Sequence, residues 1–343
     1  MKTQFAILPV RCFLLNLLAL PLLTYTPSLY ADFVTSPIWS IQFSPDGKYL
    51  AIGRYQWVQL WDIQTQKVIH NFEPHADAVR CLKFSRDGET LFAGGGLPAE
   101  GGEVKIWVVE SGELINTLEI HADTIEAIAV SPDASKILTV SMDERAFVIS
   151  LPAGEIEQML TQHVDRVLAV DYRSDGKFFV TGSKDKTVKV WDARTHNVLV
   201  NFDQNDDAVY AVAFAPEENM IVSGSADNAV RSWRVAESPS KSGKIETRGS
   251  LVRIYNGHEG PVYTVDCGKR GNQMIIVSGS ADRSIIVWNL QSGNRLYDFN
   301  QPTDEVYAVD LSADGRFVAA GGRDGKARIW DLSEGKLIAE LLE

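Results

Sequence analysis

Residues 163–202 read HVDRVLAVDYRSDGKFFVTGSKDKTVKVWDARTHNVLVNF. Four short runs, Val167–Tyr172, Phe178–Gly182, Thr187–Asp192 and Val198–Phe202, are rich in β-branched and aromatic residues and are bounded by Gly, Asp or Asn. That pattern predicts four strands joined by tight turns. No stretch carries a helical period of useful length. One such sheet cannot bury both of its faces alone, so copies of it have to stack.

The copies are present. Trp61, Trp107, Ile149, Trp191, Trp233, Trp288 and Trp330 occupy equivalent places, at spacings of 46, 42, 42, 42, 55 and 42. An independent marker keeps the same step. It is the turn before each second strand, from Ser44-Pro45-Asp46-Gly47 and Ser85-Arg86-Asp87-Gly88 to Ser312-Ala313-Asp314-Gly315. Seven sheets stacked radially leave only short, protected edges. The expected fold is therefore all-β, a seven-bladed β-propeller of four-stranded antiparallel blades. The expected blades run approximately over 34–72, 75–118, 121–160, 163–202, 205–255, 257–299 and 302–342.

At these residues the chain resembles the WD-repeat β-propeller family, over essentially all of positions 34–342. The Trp-Asp pair stands at Trp61-Asp62, Trp191-Asp192 and Trp330-Asp331, and Gly-His at Gly257-His258. Blades four and six carry the family's structural tetrad in full, as His163, Thr181, Asp185, Trp191 and His258, Ser278, Asp282, Trp288. Blade three has His121, Thr139 and Asp143 but Ile149 in place of Trp, and blade five has Asn205 in place of His. Blade two keeps His75 and Trp107, and blade one keeps little beyond Trp61.

The first 31 residues differ from the rest. Lys2 and Arg11 are their only charges, Cys12 to Leu23 is almost wholly apolar, and Leu29-Tyr30-Ala31 offers a small residue for cleavage. This reads as a signal peptide over 1–31, removed on bacterial-type export to the periplasm or the cell exterior. The alternative is a membrane anchor formed by an uncleaved N-terminus. The chain has 33 Lys plus Arg against 45 Asp plus Glu, a formal net charge of −12. Such a surface repels nucleic acid and anionic lipid. Three cysteines match no haem or zinc spacing, and Cys81 and Cys267 are expected as free, buried thiols.

A His, a Ser or Thr and an Asp together invite a hydrolase reading. The repetition of the trio, with a Trp six residues beyond the Asp wherever the tetrad is whole, argues instead for a hydrogen-bond network, so no catalytic residue is assigned. Residues 94–102, Gly-Gly-Gly-Leu-Pro-Ala-Glu-Gly-Gly, resemble a phosphate cradle, but no Lys-Ser or Lys-Thr follows them. They are read as a flexible turn insertion in blade two. The Ser-, Lys- and Gly-rich stretch Ala236 to Gly249 is read as a solvated loop. No metal site and no cofactor are expected.

The first strand of each repeat carries the functional signal. Its core positions, such as Val209, Val212, Phe214 and Val306, Val309, Leu311, are spaced by three and then two. This breaks the strand period, requires a bulge, and re-aims the residue after the first Val. Those residues are Trp39, Arg80, Glu126, Leu168, Tyr210, Tyr263 and Tyr307, with four aromatics on the contiguous blades five, six, seven and one. The family resemblance implies that they line the partner-binding face. With them go the residues before the turn Asp, among them Arg54, Lys184 and Arg323, and Arg166 on the same rim.

Tyr, Trp and Arg are enriched at interface hot spots. The expected function is thus a non-enzymatic protein-interaction scaffold, a monomeric propeller that takes a protein or peptide partner with an acidic segment. It binds no nucleic acid and inserts in no membrane once the signal is cleaved. The alternative is an exported propeller enzyme or small-ligand sensor using the central channel. The ring is expected to close by packing of blade one on blade seven, with the C-terminal strand inside its own blade.

Overall fold

Each repeat alternates apolar strand runs with Asp-, Asn- and Gly-bearing turns, and the computed structural model pairs those runs in chain order. It describes residues 36–342, apart from 73, 217–218 and 240–244. The expected signal peptide lies outside the described residues. The unit Thr35–Glu343 contains seven four-stranded antiparallel sheets.

Blade one holds β1 (Ser40–Phe43), β2 (Tyr49–Gly53), β3 (Val58–Asp62) and β4 (Lys67–Asn71). Blade two holds β5 (Val79–Phe84), β6 (Thr90–Leu97), β7 (Gly101–Val108) and β8 (Leu114–His121). Blade three holds β9 (Ile125–Val130), β10 (Lys136–Ser141), β11 (Ala146–Ser150) and β12 (Glu155–Met159). Blade four holds β13 (Val167–Tyr172), β14 (Phe178–Ser183), β15 (Val188–Asp192) and β16 (Val198–Phe202). Blade five holds β17 (Val209–Phe214), β18 (Met220–Ser225), β19 (Ala229–Pro239) and β20 (Ile245–Asn256). Blade six holds β21 (Val262–Arg270), β22 (Gln273–Ser280), β23 (Ile285–Asn289) and β24 (Arg295–Phe299). Blade seven holds β25 (Val306–Leu311), β26 (Phe317–Gly322), β27 (Ala327–Asp331) and β28 (Lys336–Leu341).

The core is divided among the blade interfaces. Each of the seven hydrophobic clusters mixes residues of two neighbouring blades, as Val188, Val190 and Phe202 of blade four join Val209, Val212 and Trp233 of blade five. This is what a sheet apolar on both faces requires of its neighbours. The ring closes in the same way. Ile38, Ile41 and Leu50 of blade one pack on Ala319, Ile329 and Leu341 of blade seven, the Ile38 N–H donates to Gly322 O at 2.9 Å, and β28 lies within its own blade.

Two stretches read as loops are strands. Residues 94–97 end β6 and residues 101–102 begin β7, so the glycine-rich insertion is a hairpin extension whose turn is only Pro98 to Glu100. The reason is close packing against blade three, since a Cβ at Gly102 would lie 2.3 Å from Asp123 O. In blade five residues 236–239 end β19 and residues 245–249 begin β20, so the described part of that polar run is strand. Gly249 lets that hairpin lie on blade four, where an added Cβ would meet Phe202 and Val200 at 2.4 Å. Strands that lean on a neighbour through glycine and keep polar side chains outward show no apolar period.

Candidate functional site

The first strands are bulged where the Val-x-x-Val spacing requires it. Register shifts separate Val79 from Cys81, Val167 from Ala169, Val209 from Ala211, Val262 from Thr264 and Val306 from Ala308, and blade three has the same break opposite Ile125 and Ala127. In blade one the Trp39 N–H still reaches Gly53 O at 2.9 Å, just ahead of β1. A bulge turns the intervening side chain out of the alternating pattern. All seven such residues line one cavity of about 540 Å³ at the mouth of the channel. They are Trp39, Arg80, Glu126, Leu168, Tyr210, Tyr263 and Tyr307.

The aromatic half of that mouth is a continuous wall. Trp39 and Tyr307 stack with centroids 4.9 Å apart, Tyr307 and Tyr263 lie at 5.8 Å, and Tyr263 and Tyr210 meet edge to face at 5.5 Å. Tyr307 donates to Glu305 at 3.0 Å, and its hydroxyl is pushed up to about 12 by burial and by that hydrogen bond. On the other side Arg80 lies over Trp39 at 4.1 Å from the ring centroid. Arg166 and Lys184 line the same cavity, Arg166 within 3.6 Å of Glu144. Burial pushes the Glu126 carboxyl above its ordinary range, against the pull of Arg80 and Arg166.

Of the residues expected on this face, Arg54 is elsewhere and Arg323 lies outside the cavity lining. Arg54 is buried at 1 % exposure, and its guanidinium donates to Ser36 O and Gly325 O, both at 2.9 Å. It ties blade one to blade seven. In blade one Tyr55 stands where blades three to seven have the turn Asp, so the residue before it is not presented in the same way. Arg323 is exposed, 3.7 Å from Asp304, and is not part of the cavity lining. Asp207 and Ala208 do line it. The first-strand pattern missed them because they precede the strand.

The tetrad residues form closed relays. In blade four the Trp191 Nε1–H donates to Thr181 Oγ1 at 2.8 Å, Thr181 meets His163 Nε2 at 2.7 Å, and His163 Nδ1 meets Asp185 at 2.8 Å. Blade six repeats this with Trp288, Ser278, His258 and Asp282 at 2.9, 2.8 and 2.9 Å. Burial pushes His163 down, against Asp185, and a neutral ring accepting at Nε2 and donating at Nδ1 satisfies the relay. Burial alone would raise Asp185, but donors from His163, Thr187 and the Val164 N–H hold it well below the usual carboxylate range. Thr181 and Ser278 are fully buried, so these hydroxyls face other side chains and not a substrate.

Repeat, blade and relay agree with the comparison to known families. The model described as WD domain, G-beta repeat matches residues 112–150, 154–192, 197–234, 249–289 and 293–331. The chain belongs to the WD-repeat family. The model described as anaphase-promoting complex subunit 4 WD40 domain also matches, over residues 28–87. Among curated relatives, the small ribosomal subunit protein RACK1y of Oryza sativa subsp. japonica is 41% identical over 85 residues, 25% of each chain. RACK1 of Caenorhabditis elegans is 38% identical over 79 residues, 23% of this chain and 24% of its own. Autophagy-related protein 16 of Arabidopsis thaliana is 36% identical over 95 residues, 27% of this chain and 18% of its own. The WD-repeat chain thus spans a quarter or less of the length of these relatives.

The blades that depart from the WD-repeat tetrad replace it with other contacts. In blade two Ala93 takes the hydroxyl position, and the buried Trp107 Nε1–H has no partner among the described residues. Glu103 of β7 takes over from the turn Asp, 3.0 Å from His75 Nδ1 and accepting the Ala76 N–H at 3.0 Å. In blade five Asp227 is held by Arg231 at 2.8 Å, and in blade seven Asp324 by Arg328 at 2.8 Å.

Below the mouth a narrower cavity of about 200 Å³ shares Trp39, Arg80 and Tyr307 with it and adds Gln42, Lys83, Asp171, Asp266 and Asp310. Three of these carboxylates latch blades together. Asp171 accepts the Phe214 N–H at 2.9 Å, Asp266 the Leu311 N–H at 2.8 Å and Asp310 the Phe43 N–H at 2.7 Å. Burial raises all three, and Asp266 adds repulsion at Asp310. Burial lowers Lys83, but the three acids outweigh it and hold the ammonium charged.

Proposed function

We propose that this WD-repeat protein is a non-enzymatic interaction scaffold that holds a protein partner, through an acidic segment, on the channel mouth. The observation that carries the reading is the convergence of Trp39, Tyr307, Tyr263 and Tyr210 with Arg80, Arg166 and Lys184 around one open cavity. Aromatic and Arg side chains on rigid strands bury large area at low entropic cost. The ring supplies the rigidity, and the acidic remainder of the surface disfavours other partners. The first 31 residues support export to a bacterial-type periplasm or the exterior. The matched relatives named as ribosomal-subunit and autophagy-related proteins are in keeping with work in assemblies.

Affinity capture from the host's envelope fraction tests this, with the wild type compared to a variant carrying Tyr210→Ala, Tyr263→Ala and Tyr307→Ala. The variant keeps its circular dichroism and loses the partner that the wild type retains. Equal capture by both places the interaction elsewhere, and an unfolded variant makes the three tyrosines core. Intact mass of the protein from the same fraction reads the cleavage after Ala31.

A further inference from the structure

The cations of the mouth are not equivalent. Arg166 stands beside Glu144, and Arg323, outside the cavity lining, beside Asp304. Arg80 makes no hydrogen bond and no ion pair among the described residues, and its Nε is buried without a partner. Its guanidinium is nonetheless held in place, over the Trp39 ring at 4.1 Å. The backbone beneath it is fixed by the Val79 N–H bond to Arg54 O at 2.9 Å and by the bulge. A guanidinium placed in this way has its ordering cost already met and its two terminal Nη groups unpaired among the described residues, which suits end-on bidentate binding of a planar anion. Facing it in the same cavity is Glu126, the residue at the matching position of blade three, with no hydrogen bond to Arg80.

We infer that Arg80, seated on Trp39, anchors a side-chain carboxylate of the partner's acidic segment, and that Glu126 weakens this binding by presenting a like charge to the same cavity. The inference rests on the reading of the channel mouth as the partner-binding face. Tyr307, Tyr263 and Tyr210, which continue the aromatic wall from Trp39, fit an apolar side chain beside the acidic one. A net charge of −12 repels extended polyanions such as nucleic acid, which leaves a short acidic stretch of protein as the source of the anion.

The test is fluorescence anisotropy with three synthetic peptides. The first alternates leucine and glutamate and is amidated at its C-terminus. The second has glutamine for glutamate, and the third is the glutamine peptide with a free C-terminus. The purified chain binds the acidic peptide about tenfold or more tighter than either control. Arg80→Gln removes that preference, and Glu126→Gln strengthens the acidic peptide several-fold while leaving the controls unchanged. A gain at Glu126 is not what loss of a structural contact produces.

Unchanged binding of the acidic peptide by Arg80→Gln, with folding confirmed by circular dichroism, overturns the anchor. So does preference for the free C-terminus alone, or binding of none of the peptides. If Tyr210→Ala with Tyr263→Ala abolishes binding while Arg80→Gln does not, the mouth remains the binding face and only the anchor fails. If neither variant matters, both readings fall.

Discussion

Thr181 shows what one hydroxyl does in this ring. It accepts from Trp191, bonds His163, and is fully buried. Thr181→Val keeps the shape and leaves two buried polar groups unpaired, which should cost about 2–4 kcal/mol in urea unfolding, whereas Thr181→Ser should cost far less. Blade two supplies the converse. Ala93 occupies the equivalent place and Trp107 Nε1 has no partner among the described residues, so Ala93→Ser should stabilise by about 1 kcal/mol if the new hydroxyl takes that N–H. At this scale the sequence was informative where residue identity repeats. The relays of blades four and six are written in His163, Thr181, Asp185 and Trp191 and their counterparts. The role of Glu103 was not legible, because it sits on strand β7 while the Asp it replaces sits in a turn, and only the register of β7 brings it to His75.

Among the elements, the first strands carry two messages and one of them was read. The three-then-two spacing of Val209, Val212 and Phe214 exposes the bulge, and with it the residues of the mouth. The residue after the second core position, Asp171, Asp266, Asp310 or Lys83, points into the channel, and a strand turned by its bulge hides that second face from a period-two reading. The consequence is measurable at Asp310. Its carboxyl is raised by burial and by Asp266, so the folded state holds its proton to higher pH than the unfolded state. The cost of ionising it is absent at low pH and grows as pH rises through the folded value. Asp310→Asn keeps an oxygen to accept the Phe43 N–H and removes that cost. It should raise stability by on the order of 1 kcal/mol near pH 8 and by little near pH 3, below the ordinary carboxylate value, read as denaturant midpoints. A variant less stable at both pH values would show the ionised carboxylate to be the better latch. The hairpins of blades two and five were misread for a related reason, since glycine and polar residues signal loops unless a neighbouring blade is there to pack on.

For the whole molecule, the repeat spacing was enough to predict seven blades, and the equal status of the seam between blades seven and one follows from the clusters. That seam uses Ile38, Arg54 and β28. Removing residues 335–343 takes Ala339 and Leu341 from the cluster shared with blade one and should lower the melting temperature by more than about 5 °C. An unchanged melting temperature would mean that the ring does not depend on this strand. Arg54 was misplaced by the same seam, because its partner carbonyl belongs to Gly325, far along the chain.

The central claim is that this closed ring presents its bulged residues to a partner. Hydroxyl-radical footprinting of the captured complex measures that most directly, with Tyr55 and Trp57 as internal references, 51% and 46% exposed and outside the cavity lining. Protection of Trp39, Tyr210, Tyr263 and Tyr307 while the two references stay reactive is the predicted result. Unchanged reactivity of those four residues, with protection on the outer strands or the opposite face, would contradict it.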